Sequence, residues 1–245
     1  MASQGGNMNF TRNPGRVAGL WYLLLSVLGP LRLEYIPIKL FVHGDAVATV
    51  NNIAAHELLF RLGIVADLAC GVILIFLVLA FYRLFERVDR NLAVLVVILG
   101  GVMPALIDFV GVVSDAGALM IVHGAGFLSA FNASQQDALA FVFLRLRDYQ
   151  NTAAEILWGA WLFPLAMLVY RSRFLPRFLG VWLAINGFAY LAMSLTGMLL
   201  PRYENMVSNI SFPALLGEVA LMLWLVIRGA KAQELGGAAL SSAAG

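Results

Sequence analysis

Charged side chains are scarce in this chain of 245 residues: 12% are Asp, Glu, Lys or Arg, whereas a soluble globular domain carries about 25%. Together with 61% hydrophobic residues and a mean hydropathy of +0.86, that scarcity excludes an ordinary soluble domain and predicts a polytopic membrane protein. Cysteine is nearly absent. Cys70 stands alone in an apolar run, which excludes an intrachain disulfide or a CxxC motif and leaves a small buried thiol as the expectation. The formal net charge is only +2, with no dense Lys/Arg run and no basic stripe interleaved with aromatics, so nucleic acid is excluded as a partner.

Other absences narrow the chemistry. Lysine occurs only at Lys39, at a helix end, and at Lys231, in the C-terminal tail, so no lysine sits mid-span to form a retinal Schiff base. None of His43, His56 and His123 lies in the middle of a span, which argues against a bis-histidine haem. These histidines, near Asp45 and Glu57, would make a zinc hydrolase only if they converged around an open position. No HExxH or HxxxH spacing supports that, and solvated loop histidines are the expectation. There is no GxSxG elbow, Walker loop or dinucleotide fingerprint. No cofactor, metal ligand or catalytic residue is therefore assigned.

What the chain does have is apolar runs long enough to cross a hydrocarbon core of about 30 Å, for which about 20 residues suffice. Six are found, at 17–38, 58–82, 92–113, 152–170, 178–200 and, shorter, 213–227. Arg12 and Arg16 precede the first as in a signal peptide, but no small-x-small cleavage site closes it, so it is expected to be an uncleaved span. Residues 117–133 are fairly apolar but contain His123, Gly124 and Gly126, and read as an interfacial or re-entrant segment. Ser134 with Asp137 resembles a capping box that would start the fourth helix well outside the bilayer. Basic residues fall on alternate connections: Arg12 and Arg16, then Arg83, Arg87 and Arg90, then Arg171, Arg173 and Arg177, then Arg228 and Lys231. The positive-inside rule puts both termini in the cytoplasm. The expected fold is an all-α bundle of six transmembrane helices forming one domain over 1–231, with a disordered cytoplasmic tail over 232–245.

Ionisable residues inside spans are costly, by roughly 2.5 to 3.5 kcal/mol each, and so tend to face a bundle interior. Counting about 1.5 Å per residue from each helix's own basic end puts Arg32, Asp67 and Glu155 at about 24 Å and Asp108 at about 27 Å. Glu218 and Asn186 come out deeper, at about 15 and 14 Å, while Arg61 and Arg147 fall at the outer interface, about 33 and 36 Å out. Arginines near helix ends, Arg32, Arg61 and Arg147 among them, more often snorkel to headgroups than bind anything. Arg147, Asn151, Glu155 and Gly159 form one four-residue stripe, and Asn186, Tyr190 and Ser194 another, both expected to face inward. Gly63, Asp67 and Gly71 share a face that would admit a close neighbour. Pro104, preceded by Gly100 and Gly101, predicts a kink just before Asp108.

Several blocks resemble the bacterial membrane family known as domain of unknown function 4386. They are RVAGLWYLL from Arg16, GDAVATVNNI from Gly44, ELLFRLGIVADL from Glu57, EILWGAWLFPLAMLVYRSRFLPRFLG from Glu155 and PALLGEVALMLWLVIRGAK from Pro213. The WGxWLFP block followed by FLPRxLG is the most specific of them. The resemblance spans nearly the whole chain and implies a six-helix protein of the bacterial inner membrane, with no activity to carry over. Arg61, Asp67, Glu155 and Glu218 lie inside the matching blocks; Asp108, His43 and His123 do not.

The leading functional expectation is an outward-opening polar cavity for a small polar or amphipathic ligand. Asp67, Glu155 and Glu218 would lie inside, Arg61 and Arg147 at the mouth, and Asp108, Asn151 and Asn186 would complete the lining. A structural subunit whose ion pairs fix packing and whose lipid face docks a partner complex is the alternative. An intramembrane hydrolase using a carboxylate as general base is the third reading. A dry, fully paired network would favour the structural role, and a cavity touching the acids would favour binding.

Overall fold

The structure, a computed structural model, describes residues 13–124 and 126–230. Arg12, Lys231 and the tail expected to be disordered lie outside the described residues. Seven helices account for most of what is described: α1 Pro14–Leu40, α2 Ala46–Ala55, α3 Glu57–Phe85, α4 Arg90–Val122, α5 Ala133–Arg171, α6 Arg177–Leu199 and α7 Pro201–Ile227. All but α2 are long and apolar enough to cross a membrane. Each span packs against its neighbour in sequence, and α1 closes on α7, so the six form a ring while α2 lies against α5. The outer surface of the ring is apolar, with Leu58, Leu199 and Ile210 more than two-thirds exposed, the pattern a lipid-facing bundle requires. This is a multi-pass membrane protein.

Local chemistry explains where the helices begin and bend. Asn13 caps α1, its side chain accepting from the Gly15 and Arg16 amides at 3.0 and 3.3 Å ahead of a proline at the first helical position. The same oxygen accepts from the Ala230 amide at 3.2 Å, tying the start of α1 to the end of α7. Two wide π turns interrupt the spans, Leu31–Tyr35 in α1 and Ile98–Val102 in α4. Each is closed by a bond five residues back, Ile36 to Leu31 and Met103 to Ile98, and a proline follows at once, Pro37 and Pro104. A proline ring clashes with the carbonyl four residues earlier, and widening that turn relieves the clash. The kink expected near Pro104 is thus a π segment.

Some boundaries differ from expectation. Residues 117–122 simply continue α4, and Gly126–Ala130 forms a short 3-10 turn, so 117–133 is not a separate re-entrant hairpin. The capping box that starts α5 uses Asn132 and Gln135 rather than Ser134 and Asp137. At about 1.5 Å per residue, the 39 residues of α5 would measure about 58 Å if straight, and the helix breaks at Trp161, three residues before Pro164. The last span reaches back to Pro201 because Pro213 sits inside the helix instead of beginning it.

The interior divides into two halves along the helices. Around the basic connections, Tyr22, Phe81, Phe85, Trp161, Leu165 and Leu225 belong to one continuous apolar core. Trp161 reaches this core over Gly100, where any Cβ would collide with the indole. Toward the opposite end a smaller cluster holds Ile36, Leu40, Ile53, Phe60, Leu119 and Leu144. The charges inside the bundle border both, Arg32 and Asp67 beside Ile36 and Phe60, and Glu218 beside Tyr22.

Candidate functional site

Four helices deliver charged groups to one point. Asp67 on α3, 3% exposed, is gripped by two guanidiniums: Arg32 Nη1 donates to its Oδ1 and Arg147 Nη2 to its Oδ2. Arg32 also pairs with Asp108 at 3.3 Å, and Arg147 lies 3.6 Å from Asp115. The π turn in α1 carries Arg32 to this position, and Gly111 clears the space for Arg147, since a Cβ there would strike Nη1. Asp108, Gly111 and Asp115 share one face of α4 at spacings of three and four. Gln150 on α5 donates to the Ile107 carbonyl at 2.6 Å and fixes the two helices side by side.

The pairing is incomplete. Three aspartates face two arginines, so full ionisation leaves one uncompensated negative charge (2 − 3 = −1). Among the described residues, Arg32 Nε, Asp108 Oδ2 and Arg147 Nη1 are buried without a hydrogen-bond partner. Asp115, 7% exposed, makes no hydrogen bond among the described residues. Beside these groups lies a chamber of about 40 Å³ whose wall includes Arg32, Asp67, Asp115, Arg147 and Asn151. Pro37, Phe41, Asp148 and Asn151 also line a groove of about 790 Å³ that runs past Arg145 and His43 to Pro201, Glu204 and Asn205. Chamber and groove therefore adjoin.

The other expected residues are placed elsewhere. Glu218 and Asn186 meet in a second polar node: Glu218 accepts from the Tyr22 hydroxyl and from Asn186 Nδ2 at 3.3 Å, with Tyr190 beside it. The stripe on α6 does face inward, and Ser194, fully buried, donates to the Thr152 carbonyl at 2.6 Å. Glu155 is half-buried, lines neither cavity and has no hydrogen bond or ion pair among the described residues. Arg61 stands at the surface, donating to Glu57 at 2.5 Å with His123 3.1 Å from the same carboxylate. One chamber holding Asp67, Glu155 and Glu218 together is thus replaced by two separate polar nodes. Arg147, expected to snorkel at a mouth, is an innermost group, and Arg32 likewise turns inward because unpaired Asp67 would be far costlier to bury than either pair.

Among the described residues, no group of three or more His, Cys, Asp or Glu converges as a metal site. His43 lines the groove, His56 contacts the Asn52 carbonyl at 3.1 Å and His123 pairs with Glu57, so the three are dispersed.

A family model described as "Domain of unknown function (DUF4386)" matches residues 17–229. The chain belongs to this family. The match includes every residue of the charged chamber and of the Glu218 node. An uncharacterised protein of the archaeon Archaeoglobus fulgidus is 34% identical over 80 residues, which is 33% of this chain and 46% of that protein. The chain thus spans less than half the length of that relative. No solved structure matches.

Proposed function

We propose that this member of the family is an integral protein of a bacterial inner membrane that binds a small polar or amphipathic ligand through the groove and the charged chamber it adjoins. Both termini lie in the cytoplasm on this reading, by the positive-inside rule, and the groove then opens outward. The observation that carries the reading is the junction at Asp148 and Asn151, which line both the wide groove and the wall of the unevenly charged chamber. A groove of about 790 Å³ is of the size that ligand sites have, and convergent polar groups at its end supply orientation. Movement of the ligand across the membrane would require a second conformation that opens the basic half.

The structural-subunit reading draws on a different observation: both oxygens of Asp67 are already engaged, as in a clamp that holds α1, α3 and α5 together. The two are separated at the junction. Asn151→Trp fills it while leaving Arg32, Asp67 and Arg147 themselves unaltered. Native mass spectrometry of protein extracted from its own membranes should show a bound small molecule that the variant loses, with its unfolding midpoint nearly unchanged. A small-molecule complement identical in both proteins would leave the clamp as the reading of choice.

A further inference from the structure

We propose that the chamber receives the ammonium head of an amphipathic primary amine, with Asp115 as its counter-charge and the groove holding the hydrocarbon body. This rests on the reading that groove and chamber form one binding path. Asp115 is the decisive residue. It lines the chamber, is more than nine-tenths buried, makes no hydrogen bond among the described residues, and its nearest cation, Arg147, already donates to Asp67. Arg147 holds Asp67 through Nη2 and leaves Nη1 3.6 Å from the Asp115 carboxylate, beyond hydrogen-bond distance, so Asp115 keeps most of its acceptor capacity unused, and a guest with N–H groups fills it.

Charge and size point the same way. A guest of charge +1 brings three aspartates and two arginines to neutrality, whereas an anion would double the excess. The chamber of about 40 Å³ holds a few water-sized groups, enough for –NH3+ but cramped for a trimethylated head. The three hydrogens of a primary ammonium find acceptors in Asp115, in Asn151 and in Asp148, which Arg145 holds at 3.1 Å. Ile38, Phe41, Val42, Phe141 and Leu144 on the groove wall suit a hydrocarbon chain, for which a bare inorganic cation has no use. The amine has two sources, a free alkylamine or an aminated lipid headgroup, and their shared chemistry is a primary ammonium on an apolar chain.

The test is calorimetric titration of the full chain in phosphatidylcholine nanodiscs with hexylamine, hexyltrimethylammonium, hexanoate and ammonium chloride. Saturable hexylamine binding is expected, with the trimethylated analogue at least tenfold weaker and no heat from hexanoate. Asp115→Asn should weaken hexylamine at least tenfold. Equal binding of hexanoate, unchanged affinity in Asp115→Asn, or ammonium chloride matching hexylamine would overturn the proposal. Should Asp115→Asn elute as aggregate, the headgroup series on the native sequence decides alone. Binding of hexanoate and hexylamine alike, abolished by Asn151→Trp, would leave the groove reading standing and remove the amine; no binding of any probe would remove both. Repeating the titration in phosphatidylethanolamine nanodiscs separates the sources: a weaker apparent hexylamine affinity marks the lipid amine as the competitor, and an unchanged one marks a free amine.

Discussion

Asp67 accepts from two arginines at once, so its loss strands two guanidiniums in a site with no other full partner for both. Breaking one side of a buried pair costs about 3 to 5 kcal/mol, far more than the pair itself contributes. Asp67→Asn is therefore expected to destabilise the protein by about 3 kcal/mol or more, read as a lower unfolding midpoint in detergent. Arg61→Gln removes an arginine–carboxylate ion pair, with Glu57, at an exposed site and should leave that midpoint unchanged. Equal effects of the two would show that the cluster is not a buried clamp. The depth of Arg32, Asp67 and Asp108 was legible from counting residues along each helix. Asp115 was not, because the apolar run read from the sequence stops at Val113 and the aspartate then reads as part of a loop, whereas the helix continues to Val122. Its signal was the face it shares with Asp108 through Gly111. Arg147 misled for a related reason: counting in a straight line ignores the break at Trp161 and the reach of an arginine side chain.

The helices follow from patterns a sequence displays openly: six long apolar stretches, with Pro14 and Asn13 starting the first and prolines bending the first and third spans. How closely two helices approach is less visible. Gly159 on α5 lies so near α6 that a Cβ would sit 2.6 Å from the Gly187 carbonyl oxygen, a backbone atom that yields only if the helix moves. Gly29 on α1 has nothing within 4 Å of the same position. Gly159→Ala should thus cost about 1 to 3 kcal/mol through overpacking. Gly29→Ala should be neutral or mildly stabilising through the better helix propensity of alanine. Parallel thermal melts check both signs, and a neutral Gly159→Ala would mean that α5 and α6 are not in backbone contact. The inward-facing stripe gave Gly159 its side of the helix, but only the neighbour across the gap shows how close the backbones come.

At the scale of the whole molecule, the basic connections gather at one end, where Arg171 pairs with Asp89 at 2.9 Å and Phe85 stacks on Phe174. With Cys70 replaced by alanine, a membrane-impermeant maleimide should label Ser129→Cys on intact cells and Arg87→Cys only after permeabilisation, since both positions are exposed at opposite ends. Labelling in the reverse order would invert the orientation and with it the side on which the groove opens. The division of the ring into a charged half and an apolar half was foreshadowed by the arginine count but not by the distribution of aromatics, whose packing depends on which spans adjoin.

That apolar half has a consequence for traffic. Phe81, Phe85, Trp161 and their leucine neighbours are buried and packed into one apolar core at the end away from the charged cluster, so on the proposed reading the bundle is a vestibule with an apolar back wall. A guest bound on that reading would leave by the doorway it used unless those rings swing aside together, and the residues to watch in a search for an alternate conformation are therefore the bulky ones farthest from the charges.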